Sequence, residues 1–505
     1  MPSDSRQPLQ DGELLAAVDI GSNSFHMVVA RYVLGHLRIV DRIKEPVRLA
    51  EGLDGQGGLG EAALARALDC LSRFGQRLRP LQPERVRAIA TNTVRQLREP
   101  QSFLLPAETA LGHAIDVVAG REEARLIYLG VAHGNPPRGK RRLVMDVGGG
   151  STEFIVGDSY EPLERESLQM GCIATTRRFF GDGTLSRKRW KDARTELAAE
   201  LQQFAATYKA RGWKESLGAS GTIKAVGEIA LAMKLSKGAV TDVALNGIRE
   251  RLLDFARVED IKLPGLSSER RPVIAGGLLI LDAAFAELDI KRMIVSDYAL
   301  REGVLYDLVG RASERDPREA SIEAYGQRYG IDSEQAASVE ATALRLFDQA
   351  RPEWELDEDD RRLLGWAARL HEIGLTIAHS QYHQHGAYIL EHSDIAGFAR
   401  SEQLFLAALV RNHRRSLATA IYDKLPDRLM TIALRCTLLL RLAVLLHRSH
   451  EREAPPQPEL AVDGNTMTLK LPKSWLAARP LTREDLETER EYLLDVDYRL
   501  VVRGV

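Results

Sequence analysis

The sequence predicts an α/β protein made of two similar halves, followed by an all-helical domain and a small α+β module. A six-position pattern recurs once, strand-like and helical segments alternate up to about residue 310, and residues 319–450 show helical periodicity with few strand signals. A length of 505 residues exceeds that of an ordinary single domain. We therefore predict four domains, with the boundaries 1–130, 131–310, 311–453 and 454–505.

The composition is that of a globular protein and excludes several classes. Apolar residues make up 44% and charged residues 28%, which argues against a disordered or fibrous chain. The net charge of −2 provides no protein-wide attraction to nucleic acid or to an anionic membrane, so we expect no nucleic-acid partner and only local polyanion sites. Three widely spaced cysteines without a CxxC pair favour a reducing, cytoplasmic compartment.

We predict neither an export signal nor a membrane span. The opening 13 residues are polar and contain no apolar stretch of the signal-peptide type. The most apolar late segment, Leu438 to Leu446, is interrupted by Arg441 and is far shorter than the roughly 18 residues that a span needs. We interpret this segment as a buried helix.

The strands and helices of the two halves can be placed from their periodicity. Residues 15–30 predict two strands around a polar turn, and residues 61–79 predict a helix. Further strands are predicted at 86–90 and 114–120, with a helix after the second one. A second apolar hairpin follows in LVMDVGGGSTEFIVG, and helices then alternate with short strands such as RMIVSD. RASERDPR at 311–318 and APPQPE at 454–459 are predicted breaks between domains.

The recurring pattern is a polar turn between two strands. Asp19-x-Gly21-x-x-Ser24 reappears as Asp146-x-Gly148-x-x-Ser151, each time between apolar runs. Small residues allow the backbone N–H groups of such a turn to face an anion, and the serine hydroxyl adds a donor. Two such turns facing one cleft would hold a phosphate from both sides, while the aspartates would offer the oxygen ligands that Mg²⁺ prefers.

These turns carry a family resemblance. AVDIGSNSFHMVV and VMDVGGGSTEF resemble the two phosphate loops of the actin, sugar kinase and Hsp70 superfamily, in the variant found in the bacterial exopolyphosphatase and guanosine pentaphosphate phosphohydrolase family. Further similar stretches are TNTVRQ, GREEARLIYLG, GASGTIKA, LPGLSSERR and SDYALREGVLYD. The resemblance implies two ribonuclease H-like domains of the actin/Hsp70 type, followed by a helical HD-like domain and the small α+β domain.

The resemblance also implies which residues form the site. Adjacent helical side chains point about 100° apart, so only one of Glu122 and Glu123 is expected to face the cleft, and the resemblance selects Glu123 as the catalytic base. Asp146 would help to hold the metal or the water. The implied metal ligands are Asp19, Asp146 and Glu153, and the implied phosphate-binding residues are Gly21, Ser22, Asn23, Ser24, Arg95, Gly148, Gly149, Gly150, Ser151 and Arg270.

Some of these residues have alternative interpretations. Arg95 closes the strand-like segment TNTVR, and its guanidinium group could bind phosphate or form an ordinary salt bridge. GASGTIKA could hold adenosine, as in related kinases, or could be a close-packed strand-to-helix turn, which is the interpretation that we favour. Two basic runs, at 138–142 and 177–194, could guide a polyphosphate chain or could be solvated charge.

The helical third domain is rich in histidine. Eight of the twelve histidines lie between residues 371 and 450, including His371, His379, His383, His385 and His413. LHEIG resembles the HD phosphohydrolase signature, but Glu372 stands where the metal-binding aspartate of that superfamily is found. We therefore expect a catalytically silent HD-like domain, whose cationic residues Arg411, His413, Arg414 and Arg415 could extend a polyphosphate path, line a dimer groove or be ordinary surface charge.

The resemblance implies a function and its requirements. We expect an exopolyphosphatase that releases orthophosphate processively from inorganic polyphosphate. Its expected location is the cytoplasm, with a peripheral position at the inner membrane as the alternative. The alternative is guanosine pentaphosphate hydrolysis, which uses the same chemistry, with the tetraphosphate as a further possible ligand. Less favoured are an ATP-dependent kinase or ATPase and a non-catalytic sensor. The expected cofactor is Mg²⁺, with K⁺ as a stimulating ion, and the expected assembly is a homodimer.

Overall fold

The computed structural model describes residues 9–34, 36–135, 141–311, 316–449 and 456–504. The chain forms two compact units, an N-terminal unit of residues 9–314 and a C-terminal unit built from residues 315–505. Three predicted features lie partly outside the described residues: Arg138 and Lys140 of the first basic run, positions 312–315 of the first predicted break, and positions 454–455 of the second.

The first half of the N-terminal unit contains a five-stranded sheet in the order β3-β2-β1-β4-β5. Strands β1 to β3 are antiparallel, whereas β4 and β5 continue the sheet in parallel with β1. Both faces of β1 are buried, which explains its unbroken apolar run. The strands are β1 (Leu14–Ile20), β2 (Phe25–Val33), β3 (His36–Glu45), β4 (Val86–Ala90) and β5 (Ile115–Val117).

The second half repeats this topology in a six-stranded sheet with the order β10-β11-β9-β6-β7-β8. Strands β6 to β8 are antiparallel, and β9 and β11 are parallel to β6, so β6 occupies the position that β1 has in the first sheet. The strands are β6 (Arg142–Val147), β7 (Thr152–Asp158), β8 (Glu161–Leu168), β9 (Glu215–Ala219), β10 (Val240–Thr241) and β11 (Arg292–Val295). The structure thus confirms the predicted duplication.

Helices cover both sheets of this unit. Apolar residues of β1, β2, β6 and β7 share one buried cluster with helices α4 and α10, so the two halves are joined by a common core. The helices are α1 (Glu61–Leu78), α2 (Asn92–Arg95), α3 (Gln101–Leu111), α4 (Gly120–Gly134), α5 (Cys172–Phe180), α6 (Arg187–Arg211), α7 (Ser220–Ala232), α8 (Asp242–Leu252), α9 (Ile274–Glu287) and α10 (Leu300–Arg311).

Two glycines allow α4 and α10 to approach closely. A Cβ atom on Gly303 would lie 1.7 Å from the carbonyl oxygen of Leu126, and one on Gly130 would lie 2.0 Å from that of Ala299. Both distances are far below van der Waals contact. The two backbones therefore touch at a spacing that only glycine permits at either position.

A buried ion cluster reinforces the same helix pair. The Asp307 carboxylate of α10 is fully buried and contacts Arg125 of α4, Arg87 of β4 and Arg311 of its own helix. Burial alone would raise the pKa of Asp307, but the guanidinium groups of Arg125, Arg87 and Arg311 hold it well below the usual carboxyl value. The cluster therefore remains ionised and links α4, β4 and α10.

In its described residues, the C-terminal unit combines seven longer helices and one short helix with a three-stranded sheet in the order β12-β13-β14. The helices and the sheet contribute to one hydrophobic core, so the predicted boundary at residue 453 separates segments that share a core. The elements are α11 (Pro317–Arg328), α12 (Ser333–Trp354), α13 (Glu358–Leu370), α14 (Tyr382–His392), α15 (Arg400–Asn412), α16 (Asp427–Leu446), β12 (Glu459–Asp463), β13 (Thr466–Leu471), α17 (Lys473–Ala478), α18 (Pro480–Leu494) and β14 (Arg499–Gly504).

Helix α16 is the only described helix that is long and apolar enough to cross a membrane. Most of its apolar stretch is buried within the C-terminal unit, where Leu438, Leu439 and Leu440 are inaccessible to solvent. This burial is typical of a core helix and agrees with the prediction for Leu438 to Leu446. Its Arg441 is also buried and forms a two-pronged ion pair with Glu489.

Sequence periodicity located most elements of the N-terminal unit but misjudged two features. The segment 91–95 is not a strand, because β4 ends at Ala90 and Asn92–Arg95 forms a short helix. The outer strands β3 and β8 were not predicted; both are largely half-buried and carry many charged residues, so they lack an apolar run. GASGTIKA is a strand-to-helix turn, as expected, because β9 ends at Ala219 and α7 begins at Ser220.

We expect Gly303→Ala to lower the free energy of unfolding by about 1–3 kcal/mol, because the added methyl group would overlap the backbone of α4. Chemical denaturation of the full chain measures the change. Gly326→Ala is the control, because a Cβ atom on Gly326 would meet no atom within 4 Å and alanine favours a helix by about 0.5–1 kcal/mol. Equal destabilisation by both substitutions, or none by Gly303→Ala, would contradict the close crossing.

Candidate active site

The first polar turn connects β1 to β2 and projects from the carboxyl end of the central strand. Asp19 lies near the end of β1 beside the parallel strand β4. A Cβ atom on Gly21 would lie 3.0 Å from the carbonyl oxygen of Ser24, so the turn is tight at this glycine. The hydroxyl of Thr93 donates a hydrogen bond of 2.8 Å to the Ser22 hydroxyl and thereby fixes the turn to the residues after β4.

The second turn has the same geometry in the other half. Asp146 lies near the end of β6 beside the parallel strand β9. A Cβ atom on Gly148 would lie 3.1 Å from the carbonyl oxygen of Ser151, which closely matches the first turn. Both aspartates therefore end equivalent central strands, which is where ligands bind in open α/β sheets.

The two turns face each other across one cleft. A Cβ atom on Gly150 would lie 2.5 Å from Oδ1 of Asn92 and 3.3 Å from the Ser22 hydroxyl, and one on Gly149 would lie 3.3 Å from Cβ of Ser22. A larger residue at position 150 would therefore overlap Asn92, and one at 149 or 150 would crowd Ser22 of the opposite turn. This arrangement confirms that the turns open onto a shared space and not onto separate surfaces.

The shared space is a cavity of about 350 Å³, which is within the size range of small-molecule sites. It brings together all but one of the site residues predicted from the sequence. Those that line it are Asp19, Gly21, Ser22, Asn23, Ser24, Glu123, Asp146, Gly148, Gly149, Gly150, Ser151, Glu153 and Arg270.

The two glutamates at the start of α4 separate as the helical geometry requires. Glu123 lines the cavity, whereas Glu122 is buried and forms a two-pronged ion pair with Arg125, with both N···O distances at 2.8 Å. The expectation that only one of them faces the cleft is confirmed. Glu122 does more than cap the helix, because its partner Arg125 also contacts Asp307 and thereby joins Glu122 to that ion cluster.

Arg95 is the predicted phosphate ligand that does not line the cavity. Its Nη1 atom donates to Oε2 of Glu123 at 2.9 Å and to the carbonyl oxygen of Val118 at 2.7 Å. The structure therefore places Arg95 as the ion-pair partner of Glu123, which is the salt-bridge alternative. Its Nη2 atom is buried and has no hydrogen-bond partner among the described residues, and direct phosphate binding by this atom stays a prediction.

The cavity concentrates buried negative charge. Burial, together with the nearby carboxylates of Glu123 and Asp19, raises the pKa of Asp146 to about 7. Asp19 behaves similarly: burial raises its pKa to about 7, with Arg301 acting in the opposite direction. Burial and the carboxylates of Glu123 and Asp146 also raise the pKa of Glu153. A cation bound between these groups would remove this repulsion.

The acidic residues of the cavity offer the oxygen ligands that Mg²⁺ prefers, but they do not complete its coordination by themselves. Among the described residues, no three His, Cys, Asp or Glu side chains form a group that could hold a metal ion by themselves. Mg²⁺ usually retains several waters and binds through one or two carboxylates together with substrate phosphates. The repelling carboxylates of Asp19, Asp146 and Glu153 fit this mode, in which the phosphate completes the site.

The structure adds cationic residues that the sequence did not single out. Arg301 lies in the cavity wall, and its Nη1 atom is 2.7 Å from Nδ1 of His26. Burial and the charges of Arg301, Lys44 and Arg270 together lower the pKa of His26 to about 3. The imidazole is therefore neutral and accepts the hydrogen bond. Arg301 occurs within SDYALREG, a stretch whose family resemblance was visible although its role was not.

Three further cationic residues of the cavity wall were not predicted as site residues. Arg42 and Lys44 lie on the unpredicted strand β3, and Lys224 lies in the first turns of α7. Lys44 pairs with Glu269 at 3.1 Å, and Lys224 pairs with Asp297 at 2.8 Å. Their contribution to the cavity depends on the position of β3 and α7, which periodicity does not reveal.

The basic runs are largely neutralised by neighbouring acids. In the second run, four arginines form ion pairs: Arg178 with Glu196, Arg187 with Glu250, Arg189 with Asp182, and Arg194 with Asp282. The described members of the first run pair in the same way, Arg141 with Asp158 and Arg142 with Glu215. The interpretation as solvated, locally paired charge is thus better supported than a guide for a polyphosphate chain.

Two family models cover most of the chain. Residues 28–312 match the Ppx/GppA phosphatase family, and residues 318–490 match domain III of the Ppx/GppA phosphatases. The chain is also similar to two proteins named guanosine-5'-triphosphate,3'-diphosphate pyrophosphatase. That of Aeromonas hydrophila is 38% identical over 98% of this chain and 100% of the relative, and that of Photobacterium profundum is 37% identical over 97% and 98%.

Solved structures agree with this assignment. The Ppx-GppA enzyme of Aquifex aeolicus has a TM-score of 0.50 and 26% identity, covering 58% of this chain and 98% of its own. An exopolyphosphatase from Cytophaga hutchinsonii, 24% identical with a TM-score of 0.53 over 59% of this chain and 98% of its own, shares the fold. Since the sequence relatives match from end to end and the duplicated actin-like halves enclose the phosphate turns, this chain belongs to the Ppx/GppA phosphatase family of phosphoanhydride hydrolases.

Proposed function

We propose that this chain hydrolyses guanosine 5'-triphosphate 3'-diphosphate to the tetraphosphate and orthophosphate. The observation that carries the proposal is the end-to-end similarity to two proteins named for action on this nucleotide. The geometry supports the same chemistry, because two phosphate turns and the Glu123 carboxylate line one cavity. The nucleotide was the alternative, not the first, expectation from the sequence.

The proposed reaction is an in-line attack of water on the terminal phosphorus. The bond from the water oxygen to phosphorus forms as the bond from phosphorus to the bridging oxygen breaks, and the tetraphosphate leaves with that oxygen. Glu123 orients the water and accepts its proton. Backbone N–H groups of the turns at Gly21 and Gly148 hold the phosphoryl oxygens, and the charge of Arg301 offsets the negative charge that builds up on them.

Arg95 is proposed to hold the Glu123 side chain in place. The 2.9 Å ion pair and the bond from the same atom to the carbonyl oxygen of Val118 restrict the carboxylate to one orientation. Asp19, Asp146 and Glu153 would hold Mg²⁺ together with the substrate. When bound, the ion neutralises phosphoryl oxygens and thereby makes phosphorus easier to attack.

Exopolyphosphatase activity is the less well-supported reading of the same site. The end-to-end relatives are named for the nucleotide, and four of the five arginines of the second basic run are paired with carboxylates. A kinase or a sensor has no comparable support from the relatives. A homodimer, stimulation by K⁺ and a cytoplasmic location, alone or at the periphery of the inner membrane, stay predictions from the resemblance.

Substrate preference tests the proposal directly. We expect kcat/KM for guanosine 5'-triphosphate 3'-diphosphate to exceed that for long inorganic polyphosphate by at least about tenfold, since only the nucleotide offers a ribose, a base and a second phosphate group to recognise. Orthophosphate release is measured on both substrates at equal concentrations of chain ends. A higher kcat/KM for polyphosphate would overturn the proposal and restore the first expectation.

Glu123→Gln should lower kcat by about 10²–10⁴-fold with little change in KM, because it removes the proton acceptor and keeps the shape of the side chain. Steady-state kinetics on the nucleotide checks this. The matched control is Glu122→Gln on the same helical turn. This variant loses the charge that pairs with Arg125, so its thermal unfolding temperature should fall while kcat changes less than about tenfold. Normal turnover by Glu123→Gln would refute its role as the base.

Removal of divalent ions should suppress turnover by about 100-fold or more, because the cavity carboxylates would then repel the substrate phosphates. Activity is measured after dialysis against a chelator and after addition of Mg²⁺ or of K⁺ alone. We expect recovery with Mg²⁺ and none with K⁺ alone. Asp146→Asn should need a higher Mg²⁺ concentration for half-maximal rate. Full activity in the chelator would exclude the proposed metal site.

A further inference from the structure

The C-terminal unit contains a second cavity, of about 580 Å³, that the proposed reaction does not use. It lies among the C-terminal ends of α13 and α15, the start of α14, and helices α16 and α18. Its wall carries arginines, histidines and tyrosines, including Arg414, Arg415, His371, His413, Tyr382 and Tyr492. Its volume is that of a site for a small molecule.

The charge of this cavity is positive once its ion pairs are counted. Arg441 is neutralised by Glu489, and Arg448 lies 2.5 Å from Asp485. Arg414 and Arg415 have no carboxylate partner within 4 Å among the residues that the structure describes. Glu372 is the remaining acid in the wall, so the two arginines exceed it.

Arg414 is held in position without an acid. Its guanidinium carbon lies 4.7 Å from the centre of the Tyr382 ring, so the two planar groups form a cation–π contact. Tyr382 in turn lies with its hydroxyl 3.3 Å from Nε2 of the buried His413. Arg414 also donates a side-chain hydrogen bond to the Tyr382 hydroxyl. Because no carboxylate engages the guanidinium, its remaining N–H donors stay available for a ligand.

Two of the described histidines of this region make backbone contacts, and the described histidines do not form a metal-binding group. Nδ1 of His371 lies 2.7 Å from the carbonyl oxygen of Ala368, and Nδ1 of His413 lies 2.7 Å from that of Val410. Among the described residues no three potential ligands form a metal-binding group. Burial and the charges of Arg411, Arg414 and Arg415 together lower the pKa of His383 to about 4. The local potential therefore disfavours a cation.

We propose that this cavity binds an anion with two or more linked phosphates, with Arg414 and Arg415 as its principal contacts. Arginine forks match the paired oxygens of phosphate groups, and the tyrosine rings offer flat surfaces beside them. A guanosine polyphosphate and an inorganic phosphate chain both present this chemistry. The site lies outside the active-site cavity and goes beyond the proposed function, on whose correctness it does not depend.

Titration calorimetry of the full chain tests the site. Tripolyphosphate and guanosine tetraphosphate are the probes, used with the Glu123→Gln chain, whose turnover is suppressed, in the presence of Mg²⁺ so that the active-site cavity can also bind them. We expect two binding events in the parent and one in Arg414→Gln/Arg415→Gln, with the lost event weakened at least tenfold. Arg411→Gln, which removes the same charge from α15 but does not line the cavity, is the control and should retain both events.

The outcomes distinguish a nucleotide ligand from an inorganic phosphate chain, and they show whether the site exists. If the arginine-dependent event is tighter for the tetraphosphate, the ligand is the nucleotide; if it is tighter for tripolyphosphate, the ligand is an inorganic chain. One event in the parent, or equal weakening by Arg411→Gln, overturns the site. The single variant Arg415→Gln tests the site without the risk of misfolding, because this side chain is exposed. Loss of the arginine-dependent event at an unchanged unfolding temperature supports the site. Retention of full affinity overturns Arg415 as a contact.

Discussion

The confinement of negative charge in one cleft is the constraint on which the catalytic half of this protein depends. Asp19 and Asp146 end two equivalent strands, and Glu123 enters the same space from α4. Burial and mutual repulsion raise the pKa values of both aspartates to about 7. Such a cluster is costly unless it is offset by cations. We therefore propose that the cleft accepts a metal ion together with a substrate whose negative charge the ion offsets.

Holding the two halves at the correct distance requires contacts that are remote from the chemistry. The glycines at 130 and 303 let α4 and α10 touch through their backbones, and the Asp307 cluster fixes the same helices electrostatically. Helix α4 also carries Glu123, so the helix that joins the halves is the one that positions the proposed base. A shift of α4 at the crossing would therefore also move the backbone that carries the Glu123 carboxylate.

The sequence predicted what is local and repeated. The two turns, the central strands and the divergence of Glu122 from Glu123 follow from short-range pattern and helical geometry, and the structure agrees with them. It could not predict that Arg95 reaches back to Glu123, because this contact joins residues that are 28 positions apart through a short helix mistaken for a strand. Arg301 was missed for the same reason: its partner His26 is 275 positions away, and only the tertiary fold brings them together.

Choice of substrate is a separate problem from catalysis in this cleft. Cleavage of a terminal phosphoanhydride needs the same water, carboxylate and phosphate turns whether the rest of the substrate is a nucleotide or a chain. Discrimination must therefore come from groups beyond the second phosphate. A long polyanion would require a run of uncompensated cations along its path, and the described arginines between 178 and 194 are paired with carboxylates that the chain would have to displace. A compact nucleotide makes no such demand, which is why the physical argument and the relatives favour the same substrate.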